Sequence, residues 1–405
     1  MSEIRAFPAH VVRPEWAGRV VSPMHDALRP EQREAIRRTN PDSYLHVTMR
    51  EDDPDGGTDR DELATRSNEA LARLLEAGAF SSFDEPSIFA YQLRTADHVQ
   101  TGLVAEVPVS SFDAGQVRIH ENVQPARVSA LKHHLEWVPA RSDPVALMHR
   151  PDVSVTDLVK AVVDAEPILR IDPDPEVAQT VWRIEDHRAI ERIAEAFADE
   201  VLYVADGHHR VAAAIEAWND RGRPKDDAVL CVLFPTDQLV IRAFHRRARG
   251  PVDAPAFSKS LQDRFELNPL GGPSPEPGAI DVYAEGEWFR AAPRDASRPA
   301  GAEGFDVALL HRDVLGPALG LADPADPRIE YVSDLEPIDA MIGRCDEDGG
   351  VGFALAPPPV SELLDVADRG EVVAPKSTYF HPKPRSGVFV RLLDSVPGDR
   401  GPKEH

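Results

Sequence analysis

Asp206-Gly207-His208-His209-Arg210 packs an acid, two imidazoles and a guanidinium around one glycine. An apolar run over residues 201–205 precedes it, and an alanine-rich stretch to about residue 220 follows. That order reads as a buried strand turning at once into a helix. The first N–H groups of such a helix lack partners inside it, and its dipole favours negative charge. Gly207 lets the backbone approach a ligand closely, Arg210 has the fork geometry to grip phosphate oxygens, and His208 and His209 add donors. The junction therefore reads as an anion site, with a well-made turn as the plain alternative. Asp206 either caps the helix or serves as a Mg²⁺ ligand or hydroxyl partner. Zinc on His120, His208 and His209 is disfavoured, because adjacent helical residues diverge by about 100° and no cysteine or HExxH companion is present.

Three further groups carry usable chemistry. His120-Glu121-Asn122 stands at a strand end just before a helix opening at Pro125, where Glu121 is either a general base or an exposed loop acid. Ala374-Pro375-Lys376-Ser377-Thr378-Tyr379-Phe380-His381-Pro382-Lys383 sets lysines beside small hydroxyls on a proline-framed loop. That stretch suits a phosphate or base contact, or else a structural strand with a solvated lysine. His245-Arg246 closes a basic strand, and His133 and His134 read as surface groups on an amphipathic helix.

These residues need a scaffold, and the chain alternates strand-like and helix-like segments almost throughout. Helices are expected at residues 30–38, 59–77 (stopped by Gly78), 125–137, 154–165 (capped by Ser154 or Thr156), 187–198, 208–220 and 307–321. Strands are expected at 87–94 and 101–109 as a hairpin, then at 117–120, 144–148, 177–184, 201–205, 229–234 and 239–244. Residues 351–355 and 360–367 are periodic again. Residues 51–61, 268–278 and 291–303 read as loops, the last two rich in proline. The class is α+β, with hairpins as well as crossovers.

Composition narrows the function. At 405 residues the chain has room for two or three packed units, and 42% hydrophobic content supplies their cores. A net charge of −24 repels a phosphate backbone, so nucleic acid is not an expected partner. No apolar stretch approaches a membrane span, and the opening residues lack the pattern of a secretory signal. Cys231 and Cys345 make no disulfide scaffold, which suits a cytoplasmic location.

The Ala205-to-Arg210 junction resembles the signature of the family catalogued as domain of unknown function 1015. Arg118-Ile-His-Glu121, the Ile241-to-Arg246 stretch, and Pro375-to-Phe380 with Pro382-Lys383 stand in that family's order. Asn40-Pro-Asp-Ser-Tyr44 and Phe89-Ala-Tyr-Gln92 match upstream, so the resemblance covers nearly the whole chain. More distantly, a His-Glu pair ahead of Asp-Gly-His-His-Arg is similar to free-serine kinases of the ParB/sulfiredoxin-like superfamily. That resemblance implies a ParB/sulfiredoxin-like core over residues 111–250, an N-terminal α/β segment with a hairpin over 1–110, and a C-terminal α/β segment over 251–405. It implies Glu121 as base with His120 beside it, and Asp206 in catalysis and on Mg²⁺. Gly207, His208, His209 and Arg210 would hold phosphate and substrate, with His245, Arg246, Lys376, Ser377, Thr378 and Lys383 also on the nucleotide. The implied reaction moves phosphate from ATP or ADP to the hydroxyl of a small amino acid, serine first.

The chain also departs from these patterns. Ser22-Pro23-Met24-His25-Asp26 replaces the family's Pro-Pro-Tyr-Asp run, and Val211 replaces a common Tyr. Sulfiredoxin keeps a cysteine in its equivalent turn and this chain has none, which argues against that redox chemistry. The competing class is a nucleotide-binding regulatory or scaffold protein without turnover.

Overall fold

A computed structural model describes residues 3–57, 59–172, 177–295, 297–374 and 376–393. The chain packs as two units, one of residues 1–118, 123–239 and 382–405, the other of residues 119–122 and 240–381. The three-part division at 110 and 250 is thereby corrected: strands from both sides of residue 110 share one sheet, and the chain changes unit near residue 240.

In the first unit the chain lays down β1 (Phe7–Val12), α1 (Arg60–Glu76), β2 (Phe80–Arg94), β3 (Val99–Pro108), β4 (Val117–Arg118) and α2 (Pro125–Trp137). It continues through β5 (Val145–His149), α3 (Val153–Val163), β6 (Ala178–Ile184), α4 (His187–Phe197), β7 (Leu202–Asp206), α5 (His208–Asp220) and β8 (Ala228–Pro235). The main path of the sheet runs β4-β7-β5-β8-β3-β2-β1, then the strand Phe389–Leu392 and the short Ala140–Arg141, with β6 also on β2. β7 is parallel to β4 and β8 is parallel to β5, while β2 and β3 form the expected antiparallel hairpin. The result is a mixed α and β architecture.

This packing fixes the 206–210 turn. Leu202 and Val204 of β7 lie in one apolar core with Leu147, Cys231 and Leu233 of neighbouring strands, Ile193 and Phe197 of α4, and Val211 and Trp218 of α5. The opposite side of α5 offers Ala213 to Val128 and Leu131 of α2. Small residues at 212–214 let the two helices come close. Burying each such Leu, Ile or Phe side chain stabilises by about 1.5–3 kcal/mol, so β7 and the start of α5 are held firmly.

In the second unit six antiparallel strands run β10 (Phe265–Leu270), β12 (Glu287–Pro293), β11 (Ile280–Ala284), β14 (Val351–Ala354), β9 (Phe244–Ala248) and β13 (Ile329–Ser333). Tyr283, Trp288, Val332, Met341 and Cys345 form a core against this sheet. The pair Ile241–Arg242 and Tyr379–Phe380 is a separate two-stranded ladder.

Several local expectations need correction. The strand expected over 239–244 is two, because Ile241–Arg242 pairs with Tyr379–Phe380 while Phe244–Ala248 joins the larger sheet. The loops at 268–278 and 291–303 begin as strand: Pro269 pairs with Phe289 near one sheet edge, where a missing N–H is tolerated. The helix over 307–321 runs as Asp306–Leu309, a π-helical Leu310–Leu315, and Gly316–Leu319. α3 starts earlier than expected, with Asp152 as its cap: its carboxylate accepts the Val155 N–H at 3.0 Å. Asp152→Ala is expected to cost about 1 kcal/mol, read as a lowered urea midpoint, whereas Thr156→Val should cost less.

Candidate functional site

β7 carries Asp206 out of the core and Gly207 turns the chain with φ 109°, a left-handed conformation that favours glycine. No side chain caps α5, and its first internal bond runs from the Val211 N–H to the Gly207 carbonyl at 3.0 Å. Asp206 is therefore no N-cap. Its carboxylate accepts from Arg210 Nη2 at 2.7 Å through one oxygen and from Lys383 through the other. Burial alone would push the Asp206 carboxyl up, but the Lys383 and Arg210 charges outweigh it and hold the group at about 2. The C-terminal motif thus reaches this turn through Lys383.

That charge state makes a pH prediction. The folded Asp206 carboxyl titrates below its ordinary 3.8, so its stabilisation is fully present above about pH 4 and is lost as the pH falls towards 2. The shift amounts to about 2 kcal/mol, and the side chain is only 23% exposed. Between pH 5 and pH 2 the wild-type protein should lose that much more stability than Asp206→Asn, measured as unfolding midpoints.

Arg210 is buried, and its guanidinium is engaged within the protein. Nη1 donates to the carbonyls of Asp143 at 3.0 Å and Pro144 at 2.6 Å, while Nη2 holds Asp206. A Cβ on Gly207 would lie 2.9 Å from that guanidinium, so the glycine makes room for Arg210 itself rather than for a ligand. Arg210 is a positioning residue for Asp206. His209 is likewise engaged, its Nε2 accepting the Gln124 N–H at 3.0 Å, which fixes that nitrogen as unprotonated. His208 is buried beside it. Arg118 of β4 pairs with Tyr203 of β7, and the Tyr203 hydroxyl accepts from Arg150 at 2.8 Å.

In the second unit, His120 is buried and its carbonyl accepts the Val373 N–H at 2.8 Å. Glu121 is half-buried and bridges to Val373 in parallel fashion. His245 Nδ1 accepts the Leu355 N–H at 3.2 Å, and Nε2 lies 3.4 Å from Asp334. Arg246 is wholly buried with its guanidinium over Tyr331, donating to the carbonyls of Phe244, His245 and Lys376. Ser377 donates to the Ala374 carbonyl at 2.6 Å. Arg246 thereby ties β9 to the segment that carries Lys376, while the Ser377 bond stays within that segment. Lys376 lies over the Phe244 ring at 5.3 Å, Thr378 is half-buried, and Pro375 lies outside the described residues.

A family model described as a protein of unknown function, DUF1015, matches residues 4–312. The chain belongs to this family. No curated protein matches it. Among solved structures it is similar to a free serine kinase variant in complex with ADP, at 14% identity and TM-score 0.40 over 72% of this chain and 92% of that one. It is also similar to a free serine kinase in complex with AMP, at 14% identity and TM-score 0.37 over 72% and 91%. SbnI with a C-terminal truncation, from Staphylococcus aureus, matches at 14% identity and TM-score 0.38 over 70% and 85%.

In this DUF1015 member the Mg²⁺ role of Asp206 does not fit the residues present. Both carboxylate oxygens already face cations, and no group of three or more His, Cys, Asp or Glu side chains gathers as ligands among the described residues. No described helix is long and apolar enough to cross a membrane. Sequence reasoning missed Asp26, Arg50 and Asp143, which sit on the electrostatic network of this turn. Arg50 bonds Asp26 at 2.7 Å and approaches Asp143 at 3.9 Å. The departure at residues 22–26 marked the first of these. His134, expected at the surface, is instead half-buried and lines a pocket with Arg50 and Arg141; burial and those two charges push it down to about 3.

Proposed function

We propose that the protein is a nucleotide-dependent phosphotransferase acting on the hydroxyl of a small amino acid such as serine, on a ParB/sulfiredoxin-like core. One observation carries the reading: an ionised Asp206, held by Lys383 and Arg210, stands where α5 begins without a side-chain cap. Lys383 brings an ammonium charge to this turn, the kind of group that neutralises the phosphate oxygens of ATP or ADP. The amide end of α5 and its dipole add to that positive field, while Arg210 fixes the carboxylate. Phosphoryl transfer asks mainly for positioning and charge neutralisation, which such a set supplies. Glu121, with His120 beside it, is the proposed proton acceptor for the substrate hydroxyl.

In the test, purified protein is incubated with L-serine and ATP or ADP and followed by ³¹P NMR. Phosphoserine is expected, and Glu121→Gln should cut turnover by about 10²–10⁴-fold while leaving nucleotide affinity unchanged. Saturable nucleotide binding with no product in any hydroxylated amino acid would favour a regulatory protein without turnover. Full activity in Glu121→Gln would remove the base assignment.

A further inference from the structure

We infer that Lys376 is a phosphate contact of the second unit, and that the buried Arg246 is its positioning residue. Lys376 stands at φ 60°, in the left-handed region where an L side chain strains the backbone and glycine does not. Arg223 and Glu285 share that conformation, but on plain chain reversals. Arg223 follows Gly222 just past the end of α5, and Glu285 precedes Gly286 in the two-residue turn between β11 and β12. Lys376 differs in what holds it. Arg246 donates to its carbonyl at 2.8 Å, and to those of Phe244 and His245 at 2.9 and 3.2 Å. This guanidinium is wholly buried, lies 4.3 Å from the Tyr331 ring centre, and has no carboxylate partner among the described residues. Burial pulls it down to about 10, the mark of a cation kept in an unfavourable place.

Two more bonds lock the same turn: Ser377 donates to the Ala374 carbonyl at 2.6 Å, and the Val373 N–H to the His120 carbonyl at 2.8 Å. The Lys376 ammonium lies 5.3 Å from the centre of the Phe244 ring, which steadies it. Strain that the surroundings enforce so firmly is a feature of ligand clamps. Glycine would suit this backbone, so what lysine adds is its ammonium, a point charge that phosphate oxygens accept. The position selects phosphate among anions, and here the inference rests on the phosphotransferase reading. Glu121 bridges to Val373 in parallel fashion, so the segment beside the proposed base enters the Lys376 turn three residues later. A base at Glu121 takes the proton of a hydroxyl that attacks phosphorus. The phosphoryl oxygens must then come to the same neighbourhood, where their charge calls for a fixed cation. Lys376 is the cation that this segment carries.

Calorimetric titration of the full chain with inorganic pyrophosphate is expected to give saturable binding. Lys376→Gly should weaken it by about tenfold or more, with an unchanged circular dichroism spectrum. The urea midpoint of this variant should stand at or above that of the wild type, because glycine relieves the left-handed strain. A side chain kept for structure alone would give the opposite pair, a lowered midpoint with binding unchanged. Arg246→Lys should weaken pyrophosphate by a similar factor in the wild type. In the Lys376→Gly background it should cost about twofold or less, since the group it positions is gone. Should Arg246→Lys fail to fold, the glycine variant alone decides. No saturable heat from the wild type, unchanged affinity in Lys376→Gly, or a full Arg246→Lys effect in the glycine background would each overturn the proposal. Phosphoserine formed while Lys376→Gly binds pyrophosphate normally would remove this contact and leave the phosphotransferase. Weakened binding in Lys376→Gly with no phosphoserine from the wild type would do the reverse.

Discussion

An Asp206→Ala protein is expected to lose about 3–5 kcal/mol of stability in buffer free of multivalent anions, read as a drop in the urea unfolding midpoint. Asp206 balances two cations, Arg210 and Lys383, and the first of these is buried. Removing the carboxylate leaves both without their bonded counter-charge beside an uncapped helix start, so like charges and the helix dipole add unfavourably. The proposed phosphate site makes a second part of the prediction. Pyrophosphate or ADP should restore part of the lost stability in Asp206→Ala, because a bound anion takes over the missing charge. If the turn were only a structural junction, the variant would be destabilised and the anions would give it no more protection than the wild type.

The next largest effect belongs to Gly207→Val. A β-branched side chain at φ 109° pays about 1–3 kcal/mol in backbone strain. Its Cβ would also meet the Arg210 guanidinium, 2.9 Å away, and push it off the Asp143 and Pro144 carbonyls. Stranding those buried groups costs about another 1–3 kcal/mol. The variant should unfold about 2–6 kcal/mol more easily and lose nucleotide binding at the same time, since Arg210 would no longer orient Asp206. A Gly207→Ala protein that matched the wild type in stability and binding would show that Arg210 does not need the glycine.

Much of the scaffold was legible because its signals are local. The helices Pro30–Thr39, Arg60–Glu76, Pro125–Trp137 and His208–Asp220, and the β2–β3 hairpin, follow from periodicity and from Pro and Gly punctuation. Ile338–Asp348 was passed over although Ile338, Met341, Ile342 and Cys345 fall on one helical stripe, because Gly343 and its acidic end mask the pattern. The strand in Asn268-Pro269-Leu270 was hidden because proline reads as loop until an edge position excuses it.

At the site, residue types identified the turn, but pairing reassigned their roles. Arg210 and Arg246 have the side chain that phosphate recognition uses, yet each is spent on main-chain carbonyls, an outcome set by strands distant in sequence. Lys383, 177 positions from Asp206, could be tied to it only through the fold. His134 shows the same limit in reverse: a polar residue expected at the surface is half-buried and lines a pocket whose other walls come from segments distant in sequence.

The most direct measurement is a calorimetric titration of ADP into the wild-type protein and into Lys383→Met. The account predicts saturable binding by the wild type and a loss of about tenfold or more in the variant, with the same circular dichroism spectrum. Equal affinity in the two proteins, or no binding by the wild type, would contradict it.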